Sequence, residues 1–411
     1  MCDCLCALRP DGTLFAKNSD RPPGERQIIE AIAPRPAGGV LATQYLSLSD
    51  PGAPALLGAR PTWLWGFEHG VNAHRVAVGN EQLWTVDDPS RQPEAFTGMD
   101  LVRLGLERGE TAEQALDVIA ALIDEFGQGG LGEQGTPDGE GKAYFSSFLV
   151  ADPTEAWVLE TSARSWAARP VRVGDRGVAL SNRISLSRDW KRASADVAAA
   201  GDFDRWRRPS SPTAHADKRL AVTTPAARAA ADAAFGPREL AAVLRHHGTR
   251  SWGAPGALAG EVDGLPPAVI DRLGTGVSLC MHLTGVQATT SSMITWLPRD
   301  PSEALRGWVA PGNPCSSLFV PTFGIDGIAP ELASPATWER FRTLRDRVEQ
   351  ARVADGSGTE TLREIRAVLA PIEAELWDEA DELADAEPDA QTSWARALWP
   401  RVERALTALA V

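Results

Sequence analysis

Residues 2–18 alternate about one tight turn, Arg9-Pro10-Asp11-Gly12, and that turn constrains the fold more than any other stretch of the chain. Proline presets one backbone angle and Asp-Gly tolerates the left-handed region, so the two arms pair as an antiparallel hairpin. With Pro10-Asp11 or Asp11-Gly12 as the two-residue turn, Cys2 lies opposite Ser19 or Arg21. In both registers alternation puts Lys17 on the sheet face of Cys2, Cys4 and Cys6. A cation there would lower a thiol pKa or hold an acyl oxygen. Lys17→Ala is therefore expected to keep the fold and weaken turnover.

Removal of Met1 would make Cys2 the terminal residue. Its free amine, with an ordinary pKa of about 7.7–8.0, could then take the thiol proton, so that one residue supplies nucleophile and base. With Met1 retained the nitrogen is an amide and the base is missing. Asp20, at the end of the second arm, need only reach that amine to orient it and set its proton affinity. Cys4 and Cys6 read as buried small hydrophobes. Alternate cysteines on one strand do not reproduce the two-residue spacer of zinc knuckles, and no second ligand cluster is evident.

A chain of 411 residues, 43% hydrophobic and 23% charged, can bury a large core as one large or two modest domains. A net charge of −14 argues against nucleic acid or an anionic membrane as partner, since both are polyanions, and leaves a small molecule. No window of eighteen apolar residues and no signal-like start is present, which reads as cytoplasmic. Five cysteines, three of them at 2, 4 and 6, do not form a secreted disulfide framework and read as reduced thiols.

Short apolar runs at 75–79, 147–151, 156–160 and 178–181 read as strands of an antiparallel system. Helical periodicity covers 98–108 and 111–126, where Thr111 and Gln114 resemble a capping box. Residues 126–141 read as a mobile glycine-rich loop and 207–212 as a surface break. After Pro321 helix formers with dense charge take over, interrupted at Asp355-Gly356-Ser357-Gly358, Pro371, Pro388 and Pro400. The expected division is 1–325 as an α+β domain and 326–411 as a helical extension. That extension would pack on the main domain or on another subunit, which leaves a homo-oligomer open.

Other features are ambiguous by residue type. His246-His247 sits near a helix C-terminus, where imidazolium is favourable in any case. In Cys280-Met281-His282 the outer two side chains share a strand face, yet no orienting carboxylate is evident. Ser291-Ser292 reads as a polar strand end, and residues 63–65, with two tryptophans, as core or pocket wall.

The opening Met1-Cys2-Asp3-Cys4-Leu5-Cys6-Ala7-Leu8, with Asp11-Gly12 and Phe15-Ala16-Lys17-Asn18-Ser19-Asp20-Arg21-Pro22, resembles the start of the secernin and cysteine dipeptidase family of N-terminal nucleophile hydrolases. Trp63-Leu64-Trp65-Gly66, Gly70-Val71-Asn72, Val78-Gly79-Asn80-Glu81, the run 98–108, the run 155–161 and Leu180-Ser181-Asn182 follow in the family's order. The resemblance covers residues 2–320 and weakens beyond 200. It implies a four-layer αββα fold, Cys2 as nucleophile, and Asp20 as the contact of its amine. By similarity to related acylases, Asn80 and Asn182 would stand in the oxyanion region. Lys17 stands where bile salt hydrolases and penicillin acylases have arginine, a departure that secernins share and that loses the bidentate fork. Cysteines at 4 and 6 also depart from the family's pattern.

The resulting expectation is a cysteine dipeptidase acting on small peptides, with no metal or organic cofactor needed. An amidase or acyltransferase on a non-peptide amide is the second reading, because the same machinery accepts any acyl donor that fits. A non-catalytic interaction protein that kept the fold is the third.

Overall fold

The turn at the start of the chain is Pro10-Asp11: Arg9 N–H donates to the Gly12 carbonyl at 2.8 Å, and the arms pair from Leu8 opposite Thr13 to Cys2 opposite Ser19. The computed structural model describes residues 1–135, 140–211, 213–248, 276–354 and 356–411. Cys2–Leu8 and Gly12–Arg21 are buried at every position, so both faces of the hairpin must be covered. Cys4, Cys6 and Phe15 face a second sheet, while Leu5, Leu14 and Ala16 face a helix layer.

The hairpin is the centre of an antiparallel sheet in the order Gly177–Leu180, Cys2–Leu8, Gly12–Arg21, Gln287–Pro298, Arg306–Pro311, Val320–Phe323. The second sheet runs Arg192–Ala193, Ser165–Val171, Ala156–Ser162, Phe145–Ala151, Ala77–Leu83, His69–Asn72, Leu56–Pro61, Gln27–Ile32, also antiparallel between neighbours. Helices Gly98–Arg108 and Ala112–Phe126 cover its outer face through Leu101, Leu116, Ile119 and Phe148. Helices Thr213–Ala229 and Pro237–Leu244 cover the outer face of the first sheet. The four layers are thus helix, sheet, sheet, helix, the αββα arrangement expected, because each sheet can bury both faces only between another sheet and helices.

Strands and helices begin within a few residues of where periodicity puts them, as with Ala77–Leu83 for 75–79. The Thr111 cap is half a box: its hydroxyl accepts from Gln114 N–H at 3.2 Å, but the Gln114 side chain accepts from Glu110 N–H instead. Two expectations need correcting. Pro371 does not interrupt a helix, since Gly358–Glu382 runs through it, held on both sides of the proline by buried Leu369, Leu376 and Trp377. The loop expected at 126–141 is packed in part rather than fully exposed over 126–135: Gly127, Gln128, Gly129, Gly132 and Glu133 are buried, and Glu133 pairs with Lys142 across a β-bridge. Residues 136–139 and Pro212 lie outside the described residues.

The C-terminal helices Pro335–Ala354, Gly358–Glu382, Pro388–Ala397 and Trp399–Ala408 contribute Phe341, Leu344, Leu369, Leu376 and Val402 to the same apolar cluster as Cys4 and Phe15. Trp338 Nε1 donates to the Thr290 carbonyl at 2.9 Å and Trp377 Nε1 to the Phe319 carbonyl at 2.8 Å. Among the described residues no helix is long and apolar enough to cross a membrane.

The sheets pack tightly at Gly79, where a Cβ would stand 2.7 Å from Cys4 Sγ and 2.7 Å from Lys17 Cδ. Both neighbours are buried and packed, so neither can yield cheaply. Gly79→Ala should lower the free energy of unfolding by about 1–3 kcal/mol. Gly24→Ala, where nothing lies within 4 Å, should change it by less than about 0.5 kcal/mol. Urea denaturation of both variants checks the contrast.

Candidate active site

Cys2 lies at the start of the first strand, and contacts from distant segments fix its whole peptide unit. Its N–H donates to Asn182 Oδ1 at 2.9 Å, and its carbonyl accepts from Arg219 Nη1 at 3.0 Å. Arg219 also donates to Asn182 Oδ1 at 2.8 Å and forms a short ion pair with Asp3. Asn182 Nδ2 donates to the Gln82 carbonyl at 2.9 Å, so the amide orientation follows from its partners. Cys2 Sγ accepts from Asp20 N–H at 3.4 Å and lies 4.0 Å from Glu68 Oε2. Burial pushes the thiol pKa up; Lys17 and the chain's N-terminal ammonium pull it down, and Glu68 and Asp20 add to the rise.

Asp20 sits where the ladder between the second strand and Gln287–Pro298 slips. Thr289 pairs with Asp20 and Ser291 with Ser19, leaving Thr290 as the extra residue of a bulge. Thr289 Oγ1 donates to Asp20 Oδ1 at 2.7 Å, while Asp20 Oδ2 is buried with no partner among the described residues. Burial raises the Asp20 pKa to about 7, against the N-terminal ammonium, Arg219 and Thr289, which lower it, and with Asp3, which raises it.

Lys17 does share the thiol face, opposite Cys4, but it is an inter-sheet group with no exposure. Its ammonium makes a short hydrogen bond to the Asn80 carbonyl and lies 3.7 Å from Glu81 Oε1. Its ammonium is thus engaged between the sheets rather than open to the cleft, and this burial argues that Lys17→Ala would weaken the fold as well as turnover. Removing it strands the Glu81 carboxylate between two sheets. Asn80 borders the cleft beside Cys2. Its Nδ2 has only long partners, Ser146 Oγ at 3.3 Å and Met99 Sδ at 3.5 Å, and its Oδ1 has none among the described residues. A Cβ on Gly98 would meet Ser146 Oγ at 2.0 Å and Asn80 Nδ2 at 2.7 Å, so this glycine makes room for the amide.

Several groups here were not singled out from the sequence. Arg21 donates to Glu68 Oε1 at 2.8 Å, to Tyr144 OH at 3.0 Å and to the Gly132 carbonyl at 2.7 Å, and pairs closely with Glu25. Glu133, buried, accepts from Gln287 Nε2 at 3.3 Å, and Gln287 Oε1 accepts from the Met1 ammonium at 2.7 Å. Arg21 stands in a motif already quoted; a charged residue inside an otherwise buried strand was the available signal. Glu68, Glu133 and Arg219 carry none, since only the tertiary fold brings them to Cys2.

Met1 lines two clefts. One is small and bounded by Cys2, Asp20, Arg21, Glu68, Asn80 and Glu133; the other is larger and walled by Trp84, Asn182, His215, Arg219, Val286 and Gln287. Elsewhere, Ser291 and Ser292 are buried in the strand, with Ser292 Oγ donating to Asn18 Oδ1 at 2.6 Å. Trp63 Nε1 donates to Glu25 Oε1 at 2.6 Å. The expected absence of a carboxylate beside His282 does not hold: Glu349 Oε1 lies 2.6 Å from His282 Nδ1. Nor does the absence of a further ligand cluster, because His247, Cys280, His282 and Cys315 converge from segments too far apart in sequence to form a spacing motif.

No protein-family model matches the chain. Among solved structures it is similar to the Caenorhabditis elegans ortholog of N-acylethanolamine-hydrolyzing acid amidase, at 11% identity and TM-score 0.35 over 73% of this chain and 94% of that one. It is also similar to penicillin V acylase from Agrobacterium tumefaciens, at 9% identity and TM-score 0.44 over 78% and 86%. A mutant conjugated bile acid hydrolase from Clostridium perfringens gives 11% identity and TM-score 0.41 over 75% and 88%. At such values the chemistry of the site must be argued from this chain's own residues.

Two outcomes follow for the chain with Met1 retained. Lys17→Met should cost about 3–5 kcal/mol of stability, and adding Glu81→Gln should recover most of it, because the penalty is the unpaired buried charge. Denaturant titration of single and double variants reads this. Asp20 holds its proton more tightly folded than unfolded, since about 7 lies above the ordinary 3.8. Its contribution to stability is therefore greatest below pH 4 and declines as pH rises toward 7. Asp20→Asn removes that decline, so the melting temperature of the variant relative to wild type should climb between pH 4 and 7 and level off above.

Proposed function

We propose that this chain is a cysteine-type amide hydrolase in which loss of Met1 frees Cys2 as nucleophile and its α-amine as base, and that its substrates are dipeptides with a free amino group. The observation that carries the reading is the placement of Met1. It directly precedes a buried cysteine whose nitrogen is held by Asn182, and it lines both the cleft beside the thiol and the larger cleft beyond. Its removal joins Cys2 to the larger cleft and turns the amide that faces Asn182 into an amine. Asp20 Oδ2, buried and without a partner among the described residues, is the acceptor available to that amine.

In this mechanism the α-amine of Cys2 takes the thiol proton, and sulfur attacks the substrate carbonyl carbon. Charge builds on the carbonyl oxygen, where Asn80 Nδ2, held here only by long contacts, can turn to donate. The C–N bond breaks as the α-ammonium returns a proton to the leaving amine. Water, deprotonated by the same amine, then cleaves the thioester and releases the acid. Lys17 counters the desolvation that otherwise raises the thiol pKa.

The dipeptide preference is supported by what Met1 itself does. Its ammonium rests on Gln287 Oε1, which Glu133 positions from the other side, so the larger cleft already offers a cradle for an α-ammonium next to a peptide bond. The ordered motifs shared with the secernin dipeptidases point the same way. Mature Cys2→Ala should lose at least about a thousandfold in kcat/KM against a dipeptide panel. Glu133→Gln should raise KM for free dipeptides while leaving N-acetylated analogues nearly unchanged. Full turnover by Cys2→Ala would end the assignment, and equal effects of Glu133→Gln on both substrate sets would end the ammonium reading.

A further inference from the structure

We propose that His247, Cys280, His282 and Cys315 form a tetrahedral zinc site, remote in role from the Cys2 nucleophile. One ligand atom from each residue lies within 4.8 Å of all the others. His282 Nε2 stands 3.5 Å from Cys280 Sγ and 3.3 Å from Cys315 Sγ. A zinc ion with bonds of about 2.3 Å to sulfur and about 2.0 Å to nitrogen separates sulfur and nitrogen ligands by roughly 3.5 Å across a tetrahedral edge, which those two distances match.

The donor set and its surroundings both select the metal. Two thiolates and two imidazoles in a closed, buried site suit zinc, and the two thiolates cancel its charge, so the centre is nearly neutral. Cys280, His282 and Cys315 are all at most 3% exposed. His282 Nδ1 faces Glu349 Oε1 at 2.6 Å, which leaves Nε2 to ligate, and Arg352 Nη2 meets Glu349 Oε2 at 3.0 Å and the His282 carbonyl at 2.7 Å. A carboxylate behind a ligating histidine fixes its tautomer and ring plane, and here that carboxylate has its own counter-ion. The His247 and His282 rings meet edge to face at 5.0 Å between centroids, as two imidazoles converging on one point do.

The same atoms could be read as a cysteine nucleophile with His282 and Glu349. However, both sulfurs are buried, and among the described residues the cleft over His282 and Glu349 is lined by neither Cys280 nor Cys315, an arrangement that suits a ligand pair better than a nucleophile. The metal would tie the segment after helix Pro237–Leu244 to strand His282–Leu283 and to the turn Pro314–Ser316. It also braces the first site. Met281, between two ligands, donates its N–H to Thr289 Oγ1 at 2.9 Å, and that hydroxyl donates to Asp20 Oδ1 at 2.7 Å.

Elemental mass spectrometry of the full chain should find one zinc ion per chain in wild type and equally in Cys2→Ala, which excludes binding at the N-terminal thiol. Cys280→Ser/Cys315→Ser should lose it, and Glu349→Gln should keep it with about 10–100-fold weaker affinity. Because the double variant could fail to fold, wild type provides the independent readout. Cobalt(II) added to chelator-treated protein should give intense tetrahedral d–d bands with a thiolate charge-transfer band, and zinc should shield Cys280 and Cys315 from iodoacetamide in peptide maps. Zinc retained by a folded double serine variant, no metal bound by wild type tighter than about 0.1 μM, or a Cys280–Cys315 disulfide in place of the ion would overturn the proposal.

Discussion

The site depends on the peptide unit of Cys2 being anchored at both ends by a pair of residues that also anchor each other. Asn182 accepts from the nitrogen, Arg219 donates to the carbonyl, and Arg219 donates to Asn182 as well. Residues near a chain end normally fray, since they have few contacts to hold them. Here the strand Cys2–Leu8 is an interior one, and both of its neighbours in the sheet are hydrogen-bonded to it. The thiol is therefore positioned by the fold rather than by a substrate, the preorganisation that the proposed covalent mechanism requires.

Charge at the centre of the molecule follows from the same packing. Lys17 and Glu81 face each other between the sheets with no exposure, and Arg21 meets Glu25 and Glu68 at the edge of the cleft. Buried ion pairs of this kind add little net stability, but they fix where the sheets can sit, because either partner alone would be strongly unfavourable. The Lys17 ammonium, fixed by the Asn80 carbonyl, thereby couples the strand that bears Asn80 to Gly12–Arg21, the strand paired with the one that bears the thiol. The cysteine–histidine cluster extends the brace to the other flank of Asp20 through Met281 and Thr289.

Much of this was legible in local sequence. The turn residues restrict the hairpin to two registers, both with Lys17 on the thiol face, and the cap residues and apolar spacing place Gly98–Arg108 and Ala112–Phe126. What was not legible depends on which surfaces meet. Alternation puts Lys17 on a face, but nothing local says that a second sheet closes over it at Gly79. Asn182 reads as a strand-end amide of the oxyanion region, whereas with Met1 in place its donor is taken by Gln82 and its acceptor by Cys2. Residues 126–135 have a loop's composition, yet they supply Gly132 and Glu133 to the wall around Arg21 and Gln287. Pro371 looks like a break because a local rule ignores the apolar contacts that carry a helix across it.

The central claim is that one residue provides both the attacking sulfur and the base, which requires its nitrogen to be free. The most direct measurement compares two samples of the same chain, one released from a cleavable leader so that it begins at Cys2, the other verified by intact mass to retain Met1. Turnover of an amide substrate should be found in the first and be absent from the second, with the activity of the first rising as the α-amine loses its proton. Equal turnover by the chain that still begins with Met1 would contradict the account.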